Sequence, residues 1–161
     1  MHTLVDRVKA SSSWFTALAN KAQSPLLLLV RLYWGWQFAQ TGWGKLHNLD
    51  HVTQFFTTLG LPAPGPTALF VALAEFLGGI LLALGLGSRL VSLVLFVNMT
   101  VAYWTADREA FTGILSAQDK FYAADPYTFW FAALLILVFG PGSLAVDTLL
   151  GWGFGSRVFS N

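Results

Sequence analysis

Between Pro25 and Leu150 long apolar runs alternate with short polar breaks, and their lengths predict four helices, each joined to the next by turn or loop residues. The first runs from Pro25 to Gly44, about 30 Å at 1.5 Å per residue, which matches the apolar thickness of a bilayer. Lys45 to Pro66 reads as a loop holding a short helix, Asp50 to Leu59, with Val52, Phe55, Phe56 and Leu59 on its apolar side. Leu-Pro-Ala-Pro-Gly-Pro closes that loop, because prolines so closely spaced do not continue a helix. A second span is expected from Thr67 to Leu86 and a third from Arg89 to Thr105; Gly87 and Ser88 between them are too short for anything but an antiparallel hairpin.

Asp107 to Asp125 is polar, with a short helix expected from Glu109 to Leu115. Phe111, Ile114, Leu115, Phe121 and Tyr122 are its apolar anchors for capping the interior. The fourth span starts at Pro126 and must break at Gly140-Pro141-Gly142, leaving Leu144 to Leu150 as a short interfacial piece. Ahead of these runs, Leu4, Val5, Val8, Phe15, Leu18 and Ala22 recur at helical spacing among Asp6, Arg7, Lys9 and Lys21. That pattern predicts an amphipathic helix lying on the membrane, with Ser24 and Pro25 as the N-cap and first-turn proline of the next helix. The expected organisation is an amphipathic segment 1–24, a four-helix membrane domain 25–150 and a tail 151–161. The fold class is all-α membrane: a four-transmembrane-helix bundle with an N-terminal amphipathic interfacial helix.

Composition sharpens this. Of 161 residues, 55% are hydrophobic and 11% charged, less than half the charge of an ordinary soluble domain. The net charge of +1 gives no reason to expect nucleic acid. With no cysteine, thiol redox catalysis, disulfides and thiolate-held metals or clusters are excluded. Arg7, Lys9, Lys21, Arg89 and Arg157 fall on the side of the N-terminus, against Lys45, Arg108 and Lys120 opposite. Both termini are therefore expected in the cytoplasm, across a bacterial inner membrane.

Glu75 lies inside the otherwise uncharged stretch Ala68 to Leu86, where a carboxylate costs about 2.5–3.5 kcal/mol on insertion scales and so needs a partner, a proton or water. Arg31 is the expected partner. Arg31, Gly35, Phe38, Gly42 and Lys45 share one face of the first helix, and Ala68, Ala72, Glu75, Gly79 and Leu82 or Ala83 share one face of the second. Small residues on both invite close packing, which turns Glu75 inward. The functional reading makes Glu75 a proton acceptor and Arg31 its catalytic companion, with Asn98 bonding into the same interior. The bland reading is that Arg31 and Glu75 lock two helices together. Trp43, Lys45 and His47 are expected to line the mouth of the bundle, where a quinone head group would meet an aromatic wall and a proton donor. His47 and His51 at i, i+4 lack a third ligand, and no metal is expected.

These residues carry a resemblance. Arg31, Gly35, Phe38, Gly42, Lys45-Leu46, Leu59-Gly60-Leu61-Pro62, Glu75, Gly78-Gly79, Leu84-Gly85, Arg89, and the late Gly140-Pro141-Gly142 with Asp147, resemble in order and spacing the DoxX family. The resemblance implies a four-helix membrane protein similar to a membrane subunit of thiosulfate:quinone oxidoreductase, or to members tied to oxidative-stress complexes. It assigns no catalytic role to the shared Arg, Lys and Glu. Three readings follow. The first is a quinone-interacting or electron- and proton-handling subunit of a membrane oxidoreductase, with no cofactor of its own beyond quinone. The second is a non-catalytic scaffold for a partner oxidoreductase or stress-response protein, and the third a small carrier of an anion or weak acid. The same small-residue seams permit a homodimer.

Overall fold

The computed structural model describes residues 2–151, with side chains described from Trp14 onward. The tail from residue 152, including Arg157, and the side chains of Leu4, Val5 and Val8 lie outside the described residues.

Among the described residues the chain is wholly helical. Helix α1 spans His2–His47, α2 Leu49–Thr58, α3 Pro64–Leu84, α4 Ser88–Ala106, α5 Arg108–Thr112, α6 Gln118–Ala123, α7 Pro126–Phe139 and α8 Val146–Leu149. The separate interfacial helix expected before Ser24 is not formed: α1 runs unbroken through Pro25. Ser24 is no N-cap. Its Oγ accepts a hydrogen bond from the Ser143 amide at 3.2 Å, tying α1 to the loop after α7. Helix α3 starts inside the proline-rich stretch, because its first N–H groups have no intrahelical acceptors and proline there forfeits nothing. It stops at Gly85, whose φ of +75° is one glycine adopts without strain. Helix α6 was not anticipated. In the segment containing it, Phe121 is buried and Phe111 half-buried, both against Tyr103; Ile114 and Leu115 are exposed, and Tyr122, though exposed, packs edge-on against Phe121 and Tyr127.

Four helices, α1, α3, α4 and α7, pack as an antiparallel ring in which α1 touches α3 and α7, and α4 touches the same two. The tightest seam joins α1 and α3. A Cβ on Gly42 would strike the backbone of Phe76 and Ala72, and one on Gly79 the backbone of Ala39 and Gly35. Such backbone contact is what small-residue faces permit. The buried face of α3 is Ala68, Ala72, Glu75, Gly79 and Leu82. Phe38, Leu82, Leu95, Met99, Ala133 and Ile136 fill the middle, and Tyr103 with Phe121 closes one end, the Tyr103 hydroxyl donating to the Phe121 carbonyl at 2.8 Å.

Among the described residues two helices, α3 and α4, are long and apolar enough to cross a membrane; α7 is apolar but shorter. Only 28% and 22% of their most apolar windows are buried within the chain. The remaining surface carries side chains such as Phe70, Leu77, Leu84, Leu90 and Val97, so these are not core helices wrapped by protein.

Candidate functional site

The register of the α1–α3 seam decides which charges meet. Gly42 faces Ala72 and Phe76, while Gly35 faces Gly79 and Ala83. Glu75 therefore lies beside the last two turns of α1, and its partner is Lys45: Nζ is 2.5 Å from both carboxylate oxygens. Asn98 of α4 donates from Nδ2 to Glu75 Oε1 at 3.0 Å. Glu75 is only 1% exposed, whereas Lys45 keeps 32% of its side chain accessible. The carboxylate is thus held from two helices, and the ammonium group faces an open space.

That space is a cavity of about 340 Å³. Glu75, Asn98, Thr41 and Phe129 form its floor; Val71, Met99, Val101 and Ala102 form its walls. Helix α2 lays Val52, Phe55, Phe56 and Leu59 over it. Thr67, Thr105, Ala106 and Asp125 line it at the end where α3 begins and α4 stops, and His51 lines it from the first turn of α2. From Thr67 to Glu75, and again from Ala106 to Asn98, the depth is about 12 Å at 1.5 Å per residue. The volume and the few convergent polar groups match a small-molecule site.

Arg31 is not the partner of Glu75. It lies opposite Gly85, ten residues further along α3, about 15 Å away by the helical rise. Fully buried, it donates from Nη2 to the Leu144 carbonyl, while Nε and Nη1 have no hydrogen-bond partner among the described residues. Nearby, Asp147 accepts from the amides of Gly87 (2.7 Å) and Ser88 (2.8 Å), and its own amide donates to the Gly85 carbonyl. Burial pushes the Asp147 carboxyl up. The Ser88 and Gly87 hydrogen bonds and the Arg31 charge outweigh that and hold it below its ordinary value. This cluster is a staple: it fastens the segment after α7 to the N-terminus of α4, where a carboxylate is favoured.

Of the residues singled out in the sequence, the structure brings together Glu75, Lys45 and Asn98 and leaves Arg31, Trp43 and His47 apart. Trp43 and His47 pack against each other with their rings tilted, centres 4.2 Å apart, on an outer face of α1 that does not line the cavity. His47 and His51 share no helical face, because α1 ends between them. Sequence reasoning weighed His51 only as a metal partner of His47 and missed that it lines the cavity with Asp125, and it missed α2 as a roof. The apolar side expected of Asp50 to Leu59 was the signal for the roof. The other polar pocket, by Asp107, Arg108, Glu109 and Lys120, is shallow; burial and then the Asp125 charge push the Asp107 carboxyl up.

The DoxX family model matches residues 26–108, a stretch that holds Arg31, Lys45, Glu75 and Asn98. A protein of Bacillus subtilis (strain 168), named "Putative oxidoreductase CatD", is 28% identical over 125 residues, covering 68% of this chain and 92% of that protein. No solved structure matches the chain.

Proposed function

Since the chain belongs to the DoxX family, we propose that it is a four-span protein of a bacterial inner membrane, termini in the cytoplasm, whose cavity serves quinone-linked redox chemistry for a partner oxidoreductase. The observation that carries this reading is the cavity. Its walls are apolar, and its floor offers donors from Lys45 and Asn98 beside a buried carboxylate. A flat apolar ring with carbonyl oxygens fits such walls and donors. The name of the Bacillus relative points to the same reaction class. The exposed apolar faces of α3 and α4 suit lipid, and the excess of Lys and Arg near the N-terminal side favours the orientation.

Bound there, a quinone supplies a two-electron, two-proton acceptor. Lys45 and Asn98 would hold a carbonyl oxygen, and both already touch Glu75, so a proton at Glu75 Oε1 or Oε2 lies one hydrogen bond from that oxygen's donors. Val71, Val101 and the α2 side chains exclude water from the ring. At the opposite end, Arg31 and Asp147 are packed shut, which favours a dead-end site over the path a carrier needs.

Solubilised without delipidation, the wild type should retain a ligand of quinone mass in native mass spectrometry, and Ala102→Trp, which fills the cavity, should lose it. A wild type carrying no such mass, with quinone absent from the organic extract, sinks the reading.

A further inference from the structure

The cavity floor carries both signs of charge, and the two cancel. Lys45 contributes the cation, Glu75 the anion, and the pair is closed by contact of Nζ with both carboxylate oxygens. Beyond the floor, the charged and titratable groups lining the cavity are Asp125 and His51. Asp125 adds a second carboxylate, so the lining carries no net positive charge to attract an anion. Toward an acceptor such as a carbonyl the floor still has hydrogen bonds to donate. An ammonium group has three N–H bonds and Glu75 engages two, while Asn98 uses one amide N–H of two on Glu75. Thr41 adds nothing, since its hydroxyl donates to the Phe38 carbonyl at 2.9 Å.

We infer that Glu75 acts as the built-in counterion of Lys45 and makes the cavity select ligands with an uncharged, hydrogen-bond-accepting head, such as a ketone, over anionic amphiphiles of the same shape. This rests on the reading that the cavity takes a small apolar ligand. An anion at the floor would add an uncompensated charge between apolar walls, where desolvation is expensive and the only cation is already neutralised. A carbonyl meets two spare donors and leaves the ion pair intact. Glu75 is then a specificity-determining residue: without it, Lys45 would be an anion receptor.

The test compares 2-acetylnaphthalene with naphthalene-2-sulfonate. Binding is measured by equilibrium dialysis against the full chain in zwitterionic phospholipid nanodiscs, with empty nanodiscs subtracted. Wild type should bind the ketone at least about tenfold tighter than the sulfonate, and Glu75→Gln should raise sulfonate affinity by at least about tenfold. Should Glu75→Gln fail to fold, Asn98→Lys places a second cation at the floor and must likewise admit the sulfonate. A wild type that binds the sulfonate as well as the ketone, or a sulfonate affinity unmoved in the folded variant, overturns the selectivity while leaving the cavity a ligand site. If neither probe exceeds the empty-nanodisc value, both the selectivity and the ligand-site reading fall.

Discussion

The two ends of the bundle solve the same problem in different ways. Each buries a charged side chain beside the α1–α3 seam: Arg31 at the end of the α3–α4 hairpin, Glu75 toward the end roofed by α2. Arg31 is answered by the Leu144 carbonyl and the charge of Asp147, and its side chain is fully buried. Glu75 is answered by a lysine that keeps a third of its surface accessible and by an asparagine, and all three border a cavity. A buried charge by itself therefore says little about function. What distinguishes the ends is whether its partners have donors left over and space in front of them.

The contrast should be sharpest in stability. Asp147→Ala leaves the amides of Gly87 and Ser88 without their acceptor and strips Arg31 of its nearby anion; at about 1–3 kcal/mol for each group left unsatisfied, the loss should reach about 3–5 kcal/mol. Thermal unfolding followed by circular dichroism in detergent should show it, with probe binding unchanged in the protein still folded. A loss below about 1 kcal/mol would mean Arg31 finds another partner, and the hairpin end is not a staple. Lys45→Met at the other end should cost less, about 1–3 kcal/mol, because Asn98 still bonds Glu75 and the carboxylate borders the cavity instead of packed side chains. Its larger effect should fall on ketone binding, weakened about tenfold by the missing donor. If Lys45→Met destabilises as much as Asp147→Ala while binding is intact, the two ends are alike after all.

Acid should separate the ends by sign. Asp147 is held below its ordinary value of 3.8, so the stability it contributes is complete above that pH and is lost as the pH falls through its folded value. Asp107, beside the cavity end, is raised by burial and by Asp125, so it favours the folded state at low pH and that contribution is lost as pH rises through its folded value. At pH 7 Asp147→Asn should therefore lower the melting temperature and Asp107→Asn raise it slightly. Both differences should shrink on acidification. Shifts of the same sign would show that the two carboxyl groups sit in equivalent surroundings.

Much of this architecture was legible in the sequence. Period and length placed α2, α3, α4 and α7 to within a few residues, and the faces bearing Gly35 with Gly42 and Glu75 with Gly79 are those that meet. The pairing of Glu75 with Arg31 was the error, and its cause is register. Side-chain faces follow from spacing within one helix, but how far two antiparallel helices slide past each other is set by the loop between them. Here that loop folds back as α2 and brings Glu75 level with Lys45. Pro25 misled for a related reason: a proline preceded by serine reads as a helix start, yet the Ser24 hydroxyl is engaged by Ser143, a contact 119 positions away in the chain. Asp147 as the anion beside Arg31 is equally non-local, and only its place after Gly140-Pro141-Gly142 hinted at it.

The smallest expected effect concerns the residues the sequence singled out and the structure sets aside. Trp43 is exposed, packs its tilted ring against His47 and lies 5.3 Å, ring centre to ring centre, from Phe76, whose backbone packs against Gly42. An exposed aromatic pair of this kind contributes about 0.5–1.5 kcal/mol and does not border the cavity. Trp43→Leu should therefore shift the melting temperature slightly and leave ketone and sulfonate affinities unchanged within about twofold. A loss of about tenfold in ketone affinity with normal stability would place the binding surface on the outer face of α1 instead. Lys45 would still serve there, because its side chain stands between the two faces with its ammonium group partly exposed. It is the Glu75 side chain, 1% exposed and unable to reach that outer face, that ties the proposed chemistry to the cavity and makes Trp43 the residue whose indifference matters.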